Sequence, residues 1–228
     1  MNGGTGPRTA TVPARRLRAW TGDFLTRHPG CRAEAAGHGF TLTAPDGAWA
    51  RVESLLPPAD AGPWPAAGDP PDRAASALVA HLDAEREVGV LLVRRGGYGV
   101  GRLRGDRFAA TKVGGRYVQG RTAAGGWSQH RFARRRDNQT AALVAACVEV
   151  AARLLAVDPL PEVLVTGGDR TLADRALVDP ALARLAALPR GGHLPVGDPR
   201  EAVLRAVPGL LRSARVTVHD PWAAPRRA

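Results

Sequence analysis

Residues 87–113 read EVGVLLVRRGGYGVGRLRGDRFAATKV, and the fold turns on them. Glu87–Arg95 carries Val88, Val90, Leu91, Leu92 and Val93 almost without polar interruption, the pattern of a strand buried on both faces. Gly96-Gly97 breaks the run, Tyr98–Leu103 resumes it, and Gly105-Asp106 separates that segment from Arg107–Val113. Short apolar segments punctuated by glycine turns predict a three-stranded antiparallel meander, which Arg116–Gln119 could extend.

Downstream, Arg131 to about Val157 places Phe132, Leu143, Val144, Cys147, Val148, Val150, Ala151, Leu154 and Leu155 at helical spacing, and Pro159 and Pro161 end the run. Glu162–Thr166 reads as a buried strand, with Asp169 placed to cap a following helix after Gly167-Gly168. Helices are expected over Pro180–Leu188 and Pro199–Leu211, and a last strand over Arg215–His219. Three strands followed by helix, strand, helices and strand predict an α/β fold: a mixed sheet packed by helices, in ribonuclease-H-like order.

Upstream, Leu17, Trp20, Phe24 and Leu25 mark a helix within Pro13–His28, and a hairpin folds around Pro45-Asp46-Gly47. Pro57–Pro71 is rich in Pro, Ala and Gly and reads as a linker, followed by a helix over Asp72–Arg86. The expected organisation is a disordered tail over 1–12, a small N-terminal α+β accessory unit with its linker over 13–70, the main domain over 71–220, and a tail over 221–228.

The charge is uneven. Of the 32 Lys/Arg and 21 Asp/Glu, the segment Arg94–Arg136 holds 12 and 1, so its net +11 equals that of the whole chain. A neutral body with one basic module has the footprint of a polyanion-binding protein. Arginine carries nearly all of it, Lys112 being the only lysine; the guanidinium forks onto phosphates and stacks on bases. Cys147 reads as a small core residue, so no disulfide to Cys31 is expected. No secretory leader or long apolar run stands out, which predicts a cytoplasmic protein with no membrane partner.

Most catalytic motifs fail on inspection. The glycines of Gly96–Gly101 join two strands instead of opening a helix, so no dinucleotide fingerprint is present, and no Gly-Lys pair exists for a phosphate loop. A two-metal nuclease needs a carboxylate on its first central strand, yet the body of Val88–Arg95 has none; Glu87, Asp106, Glu162 and Asp169 are scattered over strand starts and turns. The histidines lack ligand spacing and read as surface or capping residues. Ser128 and His130 are two apart and would not face each other on a helix.

What remains is Gly125-Gly126-Trp127-Ser128-Gln129-His130-Arg131-Phe132-Ala133-Arg134-Arg135-Arg136, a glycine hinge, one amide and an arginine-dense helix start. It resembles the catalytic segment of the middle domain of archaeal and eukaryotic class I translation release factors, Gly-Gly-Gln-Ser-Ala-x-Arg-Phe-Ala-Arg-x-Arg. Gly125, Gly126, Ser128, Arg131, Phe132, Ala133, Arg134 and Arg136 match it position for position. Trp127 occupies the glutamine position and Gln129 stands two places later, as in the actinobacterial members of the Vms-like release factor branch. The resemblance covers roughly residues 75–218 and is most specific at the loop.

It implies a release-factor middle-domain-like fold and hydrolysis of the ester between nascent peptide and tRNA on stalled or split large ribosomal subunits. Gln129, Gly125, Gly126 and Ser128 would form the catalytic loop. Trp127, Arg121, Arg131, Arg134, Arg135 and Arg136 would bind RNA. No cofactor or metal is implied; the partners would be peptidyl-tRNA and the large subunit with its ribosomal RNA. A non-catalytic RNA- or ribosome-binding module is the alternative, and a tRNA-end nuclease a third reading.

Overall fold

The structure, a computed structural model, describes residues 6–60, 62, 64–115 and 128–222; the side chains of 128–133 and 136 are not among those described. The chain divides into two compact units, Met1–Ala84 with Gly209–Ala228, and Glu85–Pro208.

In the first unit, alternation along β3 (Gly39–Thr43) and β4 (Trp49–Glu53) puts Phe40, Leu42, Ala50 and Val52 on one face, all fully buried. Helices α1 (Ala14–Arg27) and α2 (Pro71–Asp83) cover that face with Leu17, Phe24 and Leu78. Burying each such side chain contributes about 1.5–3 kcal/mol. Pro71 opens α2, where a missing N–H costs nothing, and Asp72 favours the same end through the helix dipole. The sheet adds β1 (Arg8–Pro13), β2 (Arg32–Ala36) and β9 (Ser213–His219), giving the antiparallel order β1-β9-β4-β3-β2.

Three sequence expectations are corrected in this unit. Residues 8–12, assigned to a disordered tail, form β1 together with Pro13 because β9 offers a complete register from Arg8↔Val218 to Pro13↔Ser213. The last strand belongs to this sheet and not to the mixed one: Ala214 and Val216 are buried while Arg215 is exposed, an alternation suited to a sheet with one open face. His81 is buried and not a surface residue, while His28, also buried, is the C-cap of α1. His28 Nδ1 lies 2.8 Å from Asp46 Oδ2, tying the end of α1 to the β3–β4 turn, and this bond holds the Asp46 carboxyl below its ordinary range.

The second unit is built on β5 (Glu87–Arg94), β6 (Gly97–Arg104), β7 (Arg107–Gly115) and β8 (Val163–Gly168), in the order β7-β6-β5-β8. The meander is antiparallel and β8 pairs with β5 in parallel, so the sheet is mixed, as expected. Helix α3 (Ser128–Leu155) lays Leu143, Val144, Cys147, Val148, Ala151 and Leu155 against Leu91, Val93, Tyr98 and Val100. Burial pushes the Cys147 thiol up to about 12, and both cysteines are free. The stretch Asp137–Leu155 reaches the length and hydropathy of a membrane-spanning helix, and its apolar residues form part of this core.

Asp169 caps α4 (Arg170–Leu177), its carboxylate accepting from the Leu172 N–H at 3.2 Å. Gly168 has φ +88°, and a Cβ there would sit 2.3 Å from the Val93 carbonyl oxygen, so only glycine fits between strand and cap. The helix expected over 180–188 is a 3-10 turn (Pro180–Leu182) followed by the short α5 (Ala183–Ala186), and α6 covers Glu201–Leu211. Arg116–Gln119 lies outside the described residues.

Because β9 lies between β1 and β4, ending the chain at Arg212 would remove an interior strand of the first sheet. The expected outcome is rapid amide exchange along residues 39–53 with retained protection along 87–94, measured by hydrogen–deuterium exchange. Equal loss of protection in both segments would contradict this assignment of β9.

Candidate nucleic-acid interface

β5, β7 and β8 run in one direction and end together at Arg94, Gly115 and Gly168, the carboxyl end of the mixed sheet. Since α3 links β7 to the start of β8, it begins at this end and returns along the sheet. Among its described side chains the first buried one is Leu143, nine residues after Arg134, or about 13 Å of helix at ~1.5 Å per residue. Arg134, Arg135, Asp137 and Asn138 within that stretch are exposed.

This helix start is electrostatically unfavourable by itself. Its first turn contains no acid, while Arg131, Arg134, Arg135 and Arg136 follow within the first nine positions, where the helix dipole disfavours cations. Neither Arg134 nor Arg135 makes an ion pair with a described residue. A bound polyanion would relieve both the mutual repulsion and the dipole term.

Of the residues singled out from sequence, Arg121, Gly125, Gly126 and Trp127 lie outside the described residues. Ser128 and Gln129, expected in the loop ahead of the helix, occupy the first turn of α3; only their backbone, like that of Arg131 and Arg136, is described. The structure therefore gathers Ser128, Gln129 and the arginines on one helix start.

The carboxylates lie elsewhere. Glu87 is 2.9 Å from Arg102 Nε, and Glu162 is 3.1 Å from Arg86 Nε while also accepting from the Glu87 N–H at 3.3 Å. Both sit at the amino end of the β5–β8 pair, a strand length of roughly 23 Å from the carboxyl end. Asp106 is 3.8 Å from Arg107 in the β6–β7 turn, and Asp169 is engaged as the cap of α4. Among the described residues no group of three or more His, Cys, Asp or Glu is placed to hold a metal.

Sequence reasoning missed His193. Its Nε2 donates to the Gly168 carbonyl at 3.1 Å, and its Nδ1 lies 3.0 Å from the Thr166 hydroxyl. The imidazole thus pins the glycine turn at the carboxyl end. No local sequence signal marks it, since the partners are more than twenty residues away.

A mixed sheet crossed by a long helix whose arginine-rich start follows a Gly-Gly loop defines an α/β domain of release-factor type. Residues 86–217 match the family model described as Actinobacteria/chloroflexi VLRF1 release factor, and the chain belongs to that family. No curated protein matches it. Membership places the protein among translation factors of the ribosome-rescue type.

If the basic helix start carries the polyanion contact, reversing Arg134, Arg135 and Arg136 to Glu weakens RNA binding. It also flattens the salt dependence by about one unit of log–log slope per lost phosphate contact. The control is reversal of Arg184 and Arg205, which lie outside Arg94–Arg136 and pair with Asp158 and Glu201. Anisotropy titrations across salt concentrations separate the two sets; equal effects would show the charge asymmetry to be incidental.

Proposed function

We propose that this chain is a peptidyl-tRNA hydrolase, releasing nascent peptide from tRNA on stalled or split large ribosomal subunits in the cytoplasm. The observation that supports this most is Gln129 in the first turn of an arginine-dense helix, three residues after Gly125-Gly126 in sequence. Residues 71–220 contain the catalytic part on this reading, and residues 13–70 an accessory part.

Chemically, the amide of Gln129 has no useful pKa and is not a general base. It can hold a water against the ester carbonyl by donating and accepting hydrogen bonds, so that attack becomes effectively intramolecular. Backbone N–H groups around Gly125-Gly126 and Ser128 would support the developing oxyanion. The glycines permit backbone conformations closed to other residues and let the loop enter a narrow RNA channel. Arg121, Arg131, Arg134, Arg135 and Arg136 would hold phosphates, and Trp127 would stack on a base or ribose. The terminal ribose hydroxyl of the tRNA and ribosomal RNA would complete proton transfer.

Trp127, standing where class I release factors carry glutamine, favours a second reading, a ribosome-binding module without chemistry. Incubating the protein with large subunits that carry peptidyl-tRNA, and resolving peptide and tRNA separately, decides between them. Hydrolysis yields free peptide with intact tRNA, a binding module yields neither, and a nuclease yields shortened tRNA.

Gln129→Ala is expected to lower release at least ~10²-fold, the scale of losing one preorganised hydrogen-bonding group, with subunit association retained. Wild-type release by this variant would sink the mechanism. Conversely, Ala at Glu87, Asp106, Glu162 or Asp169 is expected to leave the chemical step working once folding losses are corrected for by thermal denaturation. The ion pairs and the cap already account for these side chains. A folded, subunit-bound but inactive variant among the four would restore a carboxylate mechanism.

A further inference from the structure

A cleft of about 420 Å³ opens at the carboxyl end of the second unit, between the β5–β6 turn, the end of β7 and the segment leading into α6. Arg95, Gly96, Gly97, Gly115, Asp198 and Arg200 are among the residues that line it. Arg95 makes no ion pair with a described residue, and Arg200 has only Asp198, 3.8 Å away, with both side chains largely exposed. Two guanidinium groups and one carboxylate thus border a floor that is mostly bare backbone.

The glycines of that floor are not equivalent. Gly96 has φ +101° and is required by the turn. A Cβ on Gly114 would lie 2.4 Å from the Tyr98 ring, and one on Gly115 would lie 2.9 Å from the Gly96 carbonyl oxygen. Packing therefore demands glycine at both. Gly97 is different: its Cβ would meet the Gly114 carbonyl oxygen at 3.4 Å and Pro199 Cδ at 3.7 Å, ordinary contacts, and its φ is not positive. Neither a positive φ nor a clash requires glycine there, which leaves the backbone at Gly97 open to a ligand lying against it.

We propose that this cleft seats one nucleotide of a single-stranded RNA. The guanidinium groups of Arg95 and Arg200 take the flanking phosphates, the sugar lies over Gly97, and the Asp198 carboxylate accepts from the ribose 2′-hydroxyl. A carboxylate between two phosphate-binding arginines weakens simple anion attraction, and it becomes useful where a hydroxyl must be recognised. The inference deepens the release-factor reading by adding a protein residue that distinguishes RNA from DNA. It rests on that reading only for RNA as the partner, not for hydrolysis.

The test uses the full chain and a short single strand of A and C residues, made once as RNA and once as DNA of identical sequence. Anisotropy gives affinity over a range of salt. The wild-type protein is expected to prefer RNA by ~10-fold, the scale of one hydrogen bond to a charged group. Asp198→Asn should bring the two affinities close to parity, chiefly by weakening RNA. Arg95→Ala with Arg200→Ala should lower RNA affinity ~10-fold or more and reduce the salt slope by about 2. Gly97→Ala should weaken RNA binding with an unchanged thermal midpoint, which separates occlusion of the cleft from misfolding. The proposal is overturned if the wild type does not prefer RNA, if Asp198→Asn tightens both strands alike, or if Gly97→Ala binds as wild type. None of these readouts involves peptide release, so a failure of Gln129 to matter would remove the hydrolysis reading and leave this one standing.

Discussion

Parallel pairing of β5 with β8 is the constraint from which the geometry of the second unit follows. Two parallel strands cannot be joined by a tight turn; the chain must cross over the sheet before entering the second in the same direction. Here the crossover leaves β7 at Gly115 and returns as α3, so the helix start is delivered to the carboxyl end of the sheet. Apolar contact from Leu143 onward anchors the returning half of α3, through the packing of Leu143, Cys147 and Ala151 on Leu91, Val93 and Val100.

Electrostatics divides the same unit into two ends. At the amino end, two carboxylates, Glu87 and Glu162, pair with Arg86, Arg102 and Arg104. At the carboxyl end, Arg95, Arg134 and Arg135 have no ion-pair partner among the described residues, and Arg94 donates to the Val196 carbonyl. Glu87 and Glu162 are thus engaged in ion pairs at one end, while cations accumulate at the other. Such an end suits phosphates.

Membership in the VLRF1 release factor family rests on residues 86–217, a span that starts at the second unit and runs into β9. The first unit borrows that last strand. Without β9, β1 would have no partner and β4 would be an unprotected edge, so the residues that follow α6 in sequence complete a sheet begun at the N-terminus.

Much of this was legible in the chain itself. Unbroken apolar character at Val88–Val93 and Glu162–Thr166 announced strands buried on both faces, the helical spacing from Leu143 to Leu155 announced the crossover, and Asp169 announced its own cap, because each of these signals is local. The charge excess between Arg94 and Arg136, and the loop motif inside it, likewise needed only the order of residues. Pairing partners were a different matter. Residues 8–13 and 213–219 are separated by nearly the whole chain, and neither segment encodes which sheet will accept it; their hydrogen bonds exist only once distant parts of the chain meet in that sheet. The same holds for His193 with Gly168, and for the cleft that sets Arg95 beside Arg200. Such sites depend on loop closures spanning many residues, and their stabilisation comes from tertiary proximity that no local periodicity carries.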